Sequence, residues 1–338
     1  MAEPLLEVKD LRVHFPTEDG LVKAVDGVSF SISPGETLGV VGESGSGKSV
    51  SFLTVMGLVT KREARISGEV LFRGEDLLKL PKEEMRHIRG SKISMIFQDP
   101  LTALNPVHRV GNQIAEVFLA HRKSSKKEAS QQAINLLQLV GIPQPAQRAK
   151  QYPHEFSGGM RQRAMIAMAM ALNPDLIIAD EPTTALDVTV QAQILDLIDR
   201  MREEFDAAVV LITHDLGVVA EHCDDIMVMY AGKCAEYGER RDIYYESHHP
   251  YTWGLMQSIS RIDQDRTERL RPIKGQPPSL INVPAGCPFH PRCPYVMDPI
   301  CKTEVPALLP ANGHHASACH LPLAEKERIV HEEVLVRQ

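Results

Sequence analysis

Apolar and polar positions change period several times along the chain, and each change marks an element. Residues 5–8 and 11–15 read as two short strands. Thr17-Glu18-Asp19-Gly20 has turn composition, and residues 24–32 alternate roughly with period two, so an antiparallel sheet is expected here. Thr37–Val41 is an apolar strand-like run, followed by a helix pattern carrying Val50, Phe52, Leu53, Met56 and Leu58. Residues 66–75 look like a further strand pair with a turn. Residues 93–97 form a buried-strand pattern that ends at Gln98-Asp99-Pro100, where the proline stops it. Residues 100–172 are mostly helical in pattern. Ser125-Lys126-Lys127-Glu128 has the form of a capping box, Ala129, Ala133, Leu136, Leu137 and Val140 follow at helical spacing, and Gly141 and Pro143 end the run. This block interrupts the strand pattern and is expected to be an inserted helical subdomain, about 99–172. Leu176-Ile177-Ile178-Ala179 and residues 208–213 read as central parallel strands, with an amphipathic helix between them (Val190, Ile194, Leu197, Ile198, Met201). The fold class expected is α/β with an antiparallel β subdomain beside it.

The chemistry begins between the strand at 37–41 and its helix. Gly42-Glu43-Ser44-Gly45-Ser46-Gly47-Lys48-Ser49 fits G-x-x-x-x-G-K-[ST], the phosphate-cradling P-loop. The glycines let several backbone N–H groups face one anion, and the helix start adds partial positive charge. Lys48 is expected to reach the β- and γ-phosphates and Ser49 to hold Mg²⁺. An ordinary Gly/Ser-rich turn explains many lone GxGxxG runs, but rarely an eight-residue match with strand before and helix after. Gly42, Ser44, Gly45, Gly47, Lys48, Ser49 and Val50 are therefore the candidate nucleotide contacts. Gln98 stands at a strand's C-terminal end, where open α/β sheets meet ligands, although alone it reads as a loop amide. Asp180 suits a Mg²⁺-holding role and Glu181 that of a general base; two solvated charges is the reading the upstream P-loop discounts. His214 follows the strand at 208–213, beside the expected phosphates, and is a candidate sensor of the γ-phosphate. Ser157-Gly158-Gly159 opens a long helix whose bare N-terminus suits an anion. Met165 and Met168 read as core rather than cofactor contacts. Phe15 either stacks on a base or fills the sheet face.

Composition narrows the classes. The 338 residues, 43% hydrophobic, allow one large core or two domains. A net charge of −7 gives no sign of a nucleic-acid surface. Met1-Ala2-Glu3-Pro4 lacks the basic and apolar regions of a secretory leader, and the longest apolar runs, 166–172 and 207–212, fall far short of the ~20 residues of a spanning helix. A cytosolic protein is expected, working at a membrane only through a partner. Of six cysteines, Cys287, Cys293, Cys301 and Cys319 cluster as C-x5-C-x7-C-x17-C. In a reducing compartment such a cluster favours a metal over disulfides. Zinc or an iron–sulfur cluster would fit four thiolates; the spacing is looser than structural zinc prefers, while His290, His314, His315 and His320 keep zinc open. The metal would staple a short, Pro-rich segment.

The order P-loop, Gln98, Ser157-Gly158-Gly159, Asp180-Glu181, Asp187, His214 resembles the ATP-binding subunit of ABC transporters, as Walker A, Q-loop, signature, Walker B, D-loop and H-loop. One departure is Phe156-Ser157-Gly158-Gly159-Met160, where Leu-Ser-Gly-Gly-Gln is commonest. A narrower resemblance, to the oligopeptide and dipeptide permease ATPases, runs through residues 97–106, Tyr152-Pro153-His154-Glu155-Phe156, Met229-Tyr230-Ala231-Gly232 and His249-Pro250-Tyr251. Gly286-Cys287-Pro288-Phe289 and Pro291-Arg292-Cys293-Pro294 look closer to the oligopeptide subunit. The resemblance implies an ATPase unit over 1–245 and a C-terminal extension over 246–338. It implies Mg²⁺ on Ser49, Gln98 and Asp180, with Gln98, Glu181 and His214 catalytic, and adenine stacked on Phe15. ATP would be shared head to tail with Ser157, Gly158, Gly159 and Asp187 of a second ATPase subunit, typically related but not identical. It also implies two transmembrane permease subunits, a peptide-binding protein, the cytoplasmic face of the bacterial inner membrane, oligopeptide import, and a [4Fe-4S] cluster on the four cysteines ahead of Zn²⁺. The alternatives are a dipeptide or nickel importer, a soluble ABC ATPase acting on nucleic acid or ribosomes, and an extension that serves as a regulatory unit. A single P-loop, no sustained heptads and the acidic balance argue against the soluble ATPase.

Overall fold

The computed structural model describes residues 3–184, 186–258 and 273–334. Met1 and Ala2, on which the leader expectation partly rests, and 259–272 and 335–338 of the C-terminal extension lie outside the described residues. The strands are β1 Leu6–Thr17, β2 Gly20–Ile32, β3 Thr37–Val41, β4 Arg65–Phe72, β5 Glu75–Asp76, β6 Ile93–Ile96, β7 Leu176–Asp180, β8 Ala208–Thr213, β9 Asp225–Tyr230, β10 Lys233–Glu239, β11 Leu309–Asn312 and β12 His315–Ser317.

An antiparallel sheet of order β2-β1-β4-β5 lies beside an eight-stranded sheet of order β11-β12-β10-β9-β3-β8-β7-β6. In the large sheet β9, β3, β8, β7 and β6 run parallel. Every residue of β3, β6, β7 and β8 is buried. Parallel strands covered on both faces read as largely apolar runs, which is why these four are legible in the sequence, Ser94 of β6 notwithstanding. Alternate residues serve opposite faces: Val209 and Leu211 join the core under the helical block, whereas Val210 and Ile212 join the core under the antiparallel sheet and Phe52.

The two short strands expected at 5–8 and 11–15 are one strand. β1 carries a bulge, with the pairing stepping from Val8 opposite Phe30 to Leu11 opposite Val28. Asp10 takes φ +45°, and its N–H donates to Ser29 Oγ at 2.9 Å. The polar pair Lys9-Asp10 looks like a break in the sequence because a bulge places two residues against one and spoils the alternation.

The helical block contains helices Pro100–Ala103, Val110–His121, Lys126–Leu139, Pro145–Arg148 and Gly158–Met170. The capping box is present: Ser125 Oγ accepts from the Glu128 N–H, and Glu128 returns a carboxylate oxygen to the Ser125 N–H. Ala129, Ala133 and Leu137 face inward, and burying a leucine such as Leu137 contributes about 2 kcal/mol. Met165 is fully buried and Met168 packs on the same core.

The C-terminal extension is built into the main sheet. β12 pairs with β10, Glu236 opposite Ser317, and β11 adds outside it. Helix Pro250–Gln257 buries Tyr251, Trp253 and Met256. Among the described residues no helix is long and apolar enough to cross a membrane.

Candidate active site

The P-loop leaves β3 and enters helix Lys48–Val55. Two of its glycines are there because nothing else fits. A Cβ on Gly42 (φ +154°) would sit 2.2 Å from the Met229 carbonyl oxygen, and one on Gly47 (φ +101°) would sit 2.2 Å from that of Ala24. The resulting tight turn brings Lys48 back over the loop. Its Nζ donates to the carbonyls of Gly42 at 2.6 Å and Glu43 at 3.1 Å. Burial pulls the Lys48 ammonium below the usual lysine range, and the carboxylates of Glu181, Asp180 and Glu43 pull the other way.

Ser49 Oγ donates to Asp180 Oδ1 at 2.8 Å. Asp180 ends β7 and is almost wholly buried, which holds its carboxyl above the usual range; the Ser49 hydroxyl and Lys48 oppose that. Glu181 then turns off the strand with φ +44°, a left-handed conformation costing about 1 kcal/mol or more for a residue with a side chain. Its N–H donates to the Ile212 carbonyl at 2.9 Å, which fixes the turn against β8. The carboxylate so placed accepts from Gln98 Nε2 and from Thr184 Oγ1, each at 2.9 Å onto Oε2, while His214 Nδ1 lies 3.5 Å from Oε1. The C-terminal ends of β3, β6, β7 and β8 thus deliver one cluster, as open α/β sheets do at their ligand edge.

A cavity of about 910 Å³ is lined by the P-loop from Gly42 to Val50, by Gln98, Glu181 and His214, and also by Leu255 and Pro277. The last two belong to the C-terminal extension and no sequence signal pointed to them. Asp180 stands behind it, hydrogen-bonded to Ser49, and Ser157, Gly158, Gly159, Asp187 and Phe15 do not line it. Ser157 Oγ accepts from the Met160 N–H at 3.3 Å and Asp187 Oδ1 from the Val190 N–H at 3.0 Å, so each caps its own helix. Ser157 and Asp187 are exposed; Phe15 is half-buried on β1 opposite Val22.

The four clustered cysteines are free, Cys287 and Cys301 buried, Cys293 and Cys319 half-buried. Burial pushes the Cys293 thiol up to about 12 and the Cys319 thiol up to about 11. Each sulfur nevertheless accepts a backbone amide. Tyr295 N–H donates to Cys293 and Met297 N–H to Cys301, both at 3.4 Å; the amides of Phe289 and His290 serve Cys287, and that of Leu321 serves Cys319. N–H···S bonds favour the thiolate, the form that binds metals, so the donor set fits a bound metal. Among the described residues the only trio of ligand-type side chains with donor atoms all within 4.8 Å is Glu236, His248 and His315. No three of the four sulfurs are that close, whereas a tetrahedral zinc with Zn–S of about 2.3 Å needs sulfurs about 3.8 Å apart. Of the nearby histidines, His290 Nδ1 meets the Cys287 carbonyl, His320 Nε2 that of Glu304, and His315 is committed to Glu236.

That buried trio is a polar hub. Glu236 accepts from the Thr252 hydroxyl, the His248 N–H and His315 Nε2. The two imidazole planes are 11° from parallel with centroids 4.4 Å apart, so their in-plane lone pairs do not converge on one ion.

Comparison with known proteins identifies the family. Residues 25–184 match the ABC transporter family model, and 235–301 match the oligopeptide/dipeptide transporter C-terminal region. The oligopeptide transport ATP-binding protein OppD of Salmonella typhimurium is 51% identical over 324 residues, 96% of each chain. The dipeptide transport ATP-binding protein DppD of Bacillus subtilis is 52% identical over 329 residues, 97% of this chain and 98% of that one. Among solved structures, the dimeric ATP-binding cassette MJ0796 in a post-hydrolysis state, bound to ADP and Pi, superposes with a TM-score of 0.63 at 27% identity, over 70% of this chain and 99% of that one. P-loop, acidic strand tip and C-terminal extension together with these likenesses establish that the chain belongs to the ATP-binding subunits of the oligopeptide/dipeptide family of ABC transporters.

Proposed function

We propose that this chain is the ATP-hydrolysing subunit of an importer that drives oligopeptides across the cytoplasmic membrane. The observation that carries the reading is the convergence of Lys48, Ser49 and the Gln98–Glu181–His214 group on one cavity, with Asp180 hydrogen-bonded to Ser49 behind it. Lys48 and the P-loop amides take the β- and γ-phosphates. Ser49, Asp180 and Gln98 would hold Mg²⁺, which would supply positive charge against the negative charge developing in phosphoryl transfer. Glu181 accepts the proton of the attacking water, with Gln98 and His214 orienting its carboxylate and the γ-phosphate. Phe15 stacks on the adenine.

Ser157, Gly158, Gly159 and Asp187 serve the nucleotide of a second ATPase subunit, related to this one, packed head to tail. Their position away from this chain's own cavity supports that assignment, as does the dimeric state of the superposing cassette. Two membrane-spanning permease subunits and a peptide-binding protein complete the system, with this chain on its cytoplasmic face. We keep 1–245 as the ATPase unit, with its helical subdomain at about 99–172, and 246–338 as the extension. The four cysteines would hold a [4Fe-4S] cluster that staples the extension. The amide bonds to each sulfur support a bound metal of either kind, and the fact that no three of the sulfurs lie within 4.8 Å of one another supports the cluster over a single zinc. A dipeptide cargo is the second reading, favoured by the 52% identity to the Bacillus protein.

The test is reconstitution with the permease and binding-protein partners in vesicles. ATP-dependent uptake of labelled tetra- to pentapeptides is expected, and uptake of dipeptides alone would select the second reading. No uptake of either with an active ATPase would overturn both.

A further inference from the structure

The P-loop is held from outside the ATPase unit. Arg292, two residues beyond His290 and next to Cys293, forms a two-pronged pair with Glu43, Nη1 to Oε2 at 2.6 Å and Nη2 to Oε1 at 2.9 Å. The guanidinium side chain is only 4% exposed and the carboxylate 28%, so salt screens the pair weakly. Tyr230 supports the guanidinium from below at 5.8 Å, and Tyr251 Oη accepts from the Glu43 N–H at 2.8 Å. Arg292 Nε also donates to the Lys274 carbonyl at 3.0 Å, close to Pro277 on the cavity wall.

Glu43 is electrostatically awkward where it stands. It lies within the loop that receives a polyanion, close enough to Lys48 for its carboxylate to act on the ammonium. Unpaired, it would repel phosphate and compete for the Lys48 charge. A bidentate guanidinium cancels it in a fixed geometry, which a lysine point charge does less well.

We propose that Arg292 is a positioning residue for nucleotide binding: it neutralises and orients Glu43, so that the C-terminal extension sets the affinity of the phosphate cradle in cis. This rests on the reading of the P-loop as the nucleotide site.

The experiment measures Mg-ATP affinity of the full-length protein with a fluorescent ATP analogue, alongside KM and kcat. Arg292→Ala should weaken binding at least about fivefold, the lower range of measured couplings between sites, and raise KM more than it lowers kcat. Adding Glu43→Gln to that variant should restore most of the affinity, because the unpaired charge has gone. Wild-type affinity in Arg292→Ala, or no recovery in the double variant, overturns the proposal. Should Arg292→Ala not fold, Arg292→Lys and Arg292→Gln replace it; the lysine must bind more tightly than the glutamine, and the reverse order overturns the proposal. Lys48→Ala is the control. If it binds normally, the P-loop reading itself fails; if it binds weakly while Arg292→Ala binds normally, only the present inference fails.

Discussion

Gln98 Nε2 and Glu181 Oε2 meet at 2.9 Å across 83 residues of sequence. The bond joins the end of β6 to the residue after β7 and aims the carboxylate into the cavity beside His214. Glu181→Gln should therefore leave Mg-ATP affinity within about twofold of wild type while lowering turnover roughly 10²- to 10⁴-fold, the usual contribution of a general base. With the partner ATPase present, an ATP-bound closed dimer should accumulate. Steady-state phosphate release and size-exclusion with ATP check this; near-normal turnover would remove Glu181 from the role of base.

Lys48 Nζ is held over the loop by two carbonyls, and under the proposed function it is the ammonium that takes the phosphates. Lys48→Ala removes a charged donor worth about 1.5–3 kcal/mol, so nucleotide affinity should fall about ten- to a hundredfold. Equilibrium titration with labelled nucleotide reads it directly, and unchanged affinity would take Lys48 out of the cradle.

The cysteine site predicts a composition. Protein purified without oxygen should carry about four irons and matching sulfide per chain, and Cys293→Ser should lose them and melt at lower temperature. Elemental analysis decides: zinc in place of iron would replace the cluster with a single ion, and neither metal would end the staple.

His248 and His249 give a pH dependence. Burial pulls their imidazoles down to about 4 and about 3, from an ordinary value of 6.5. The unfolded chain thus binds these protons more tightly than the folded one. Stability is full above pH 6.5 and is lost as pH falls towards 4 and 3, at up to about 1.4 kcal/mol per pH unit for each histidine. His249→Asn keeps an acceptor for the Tyr251 N–H at the helix start, where His249 Nδ1 now accepts at 3.0 Å. Urea unfolding between pH 7.5 and 5 should show a shallower acid slope in that variant; an unchanged slope would mean that His249 is not held neutral by burial.

Much of this was legible in one dimension because the physics involved is local. Largely apolar runs announce β3, β6, β7 and β8, with Ser94 the one polar residue inside β6, since strands covered on both faces have no polar side. The Ser125–Glu128 capping box is written in four adjacent residues. The P-loop glycines, the acidic tip of β7 and the residues after β6 and β8 carry their chemistry in the sequence. Less visible were the continuation of β1 through its bulge, where Asp10 breaks the alternation without ending the strand, and the hairpin of β9 and β10, whose pattern was absorbed into the family motif around Met229-Tyr230.

By itself the sequence determined which residues would gather around the P-loop at the strand ends, because backbone freedom at glycine, a lysine and a strand-end carboxylate are properties of residue type and spacing. Only the tertiary structure decided what stands behind them. The pair Arg292–Glu43, the Tyr251 hydroxyl on the P-loop, the cavity wall from Leu255 and Pro277, and the hub of Glu236 with His315 join segments 79 to 249 residues apart or come from an extension without a motif for this contact. The Glu236–His315 contact depends on β12 closing onto β10, the others on where the extension folds back over the P-loop, and no local pattern of hydrophobic and polar residues encodes those placements.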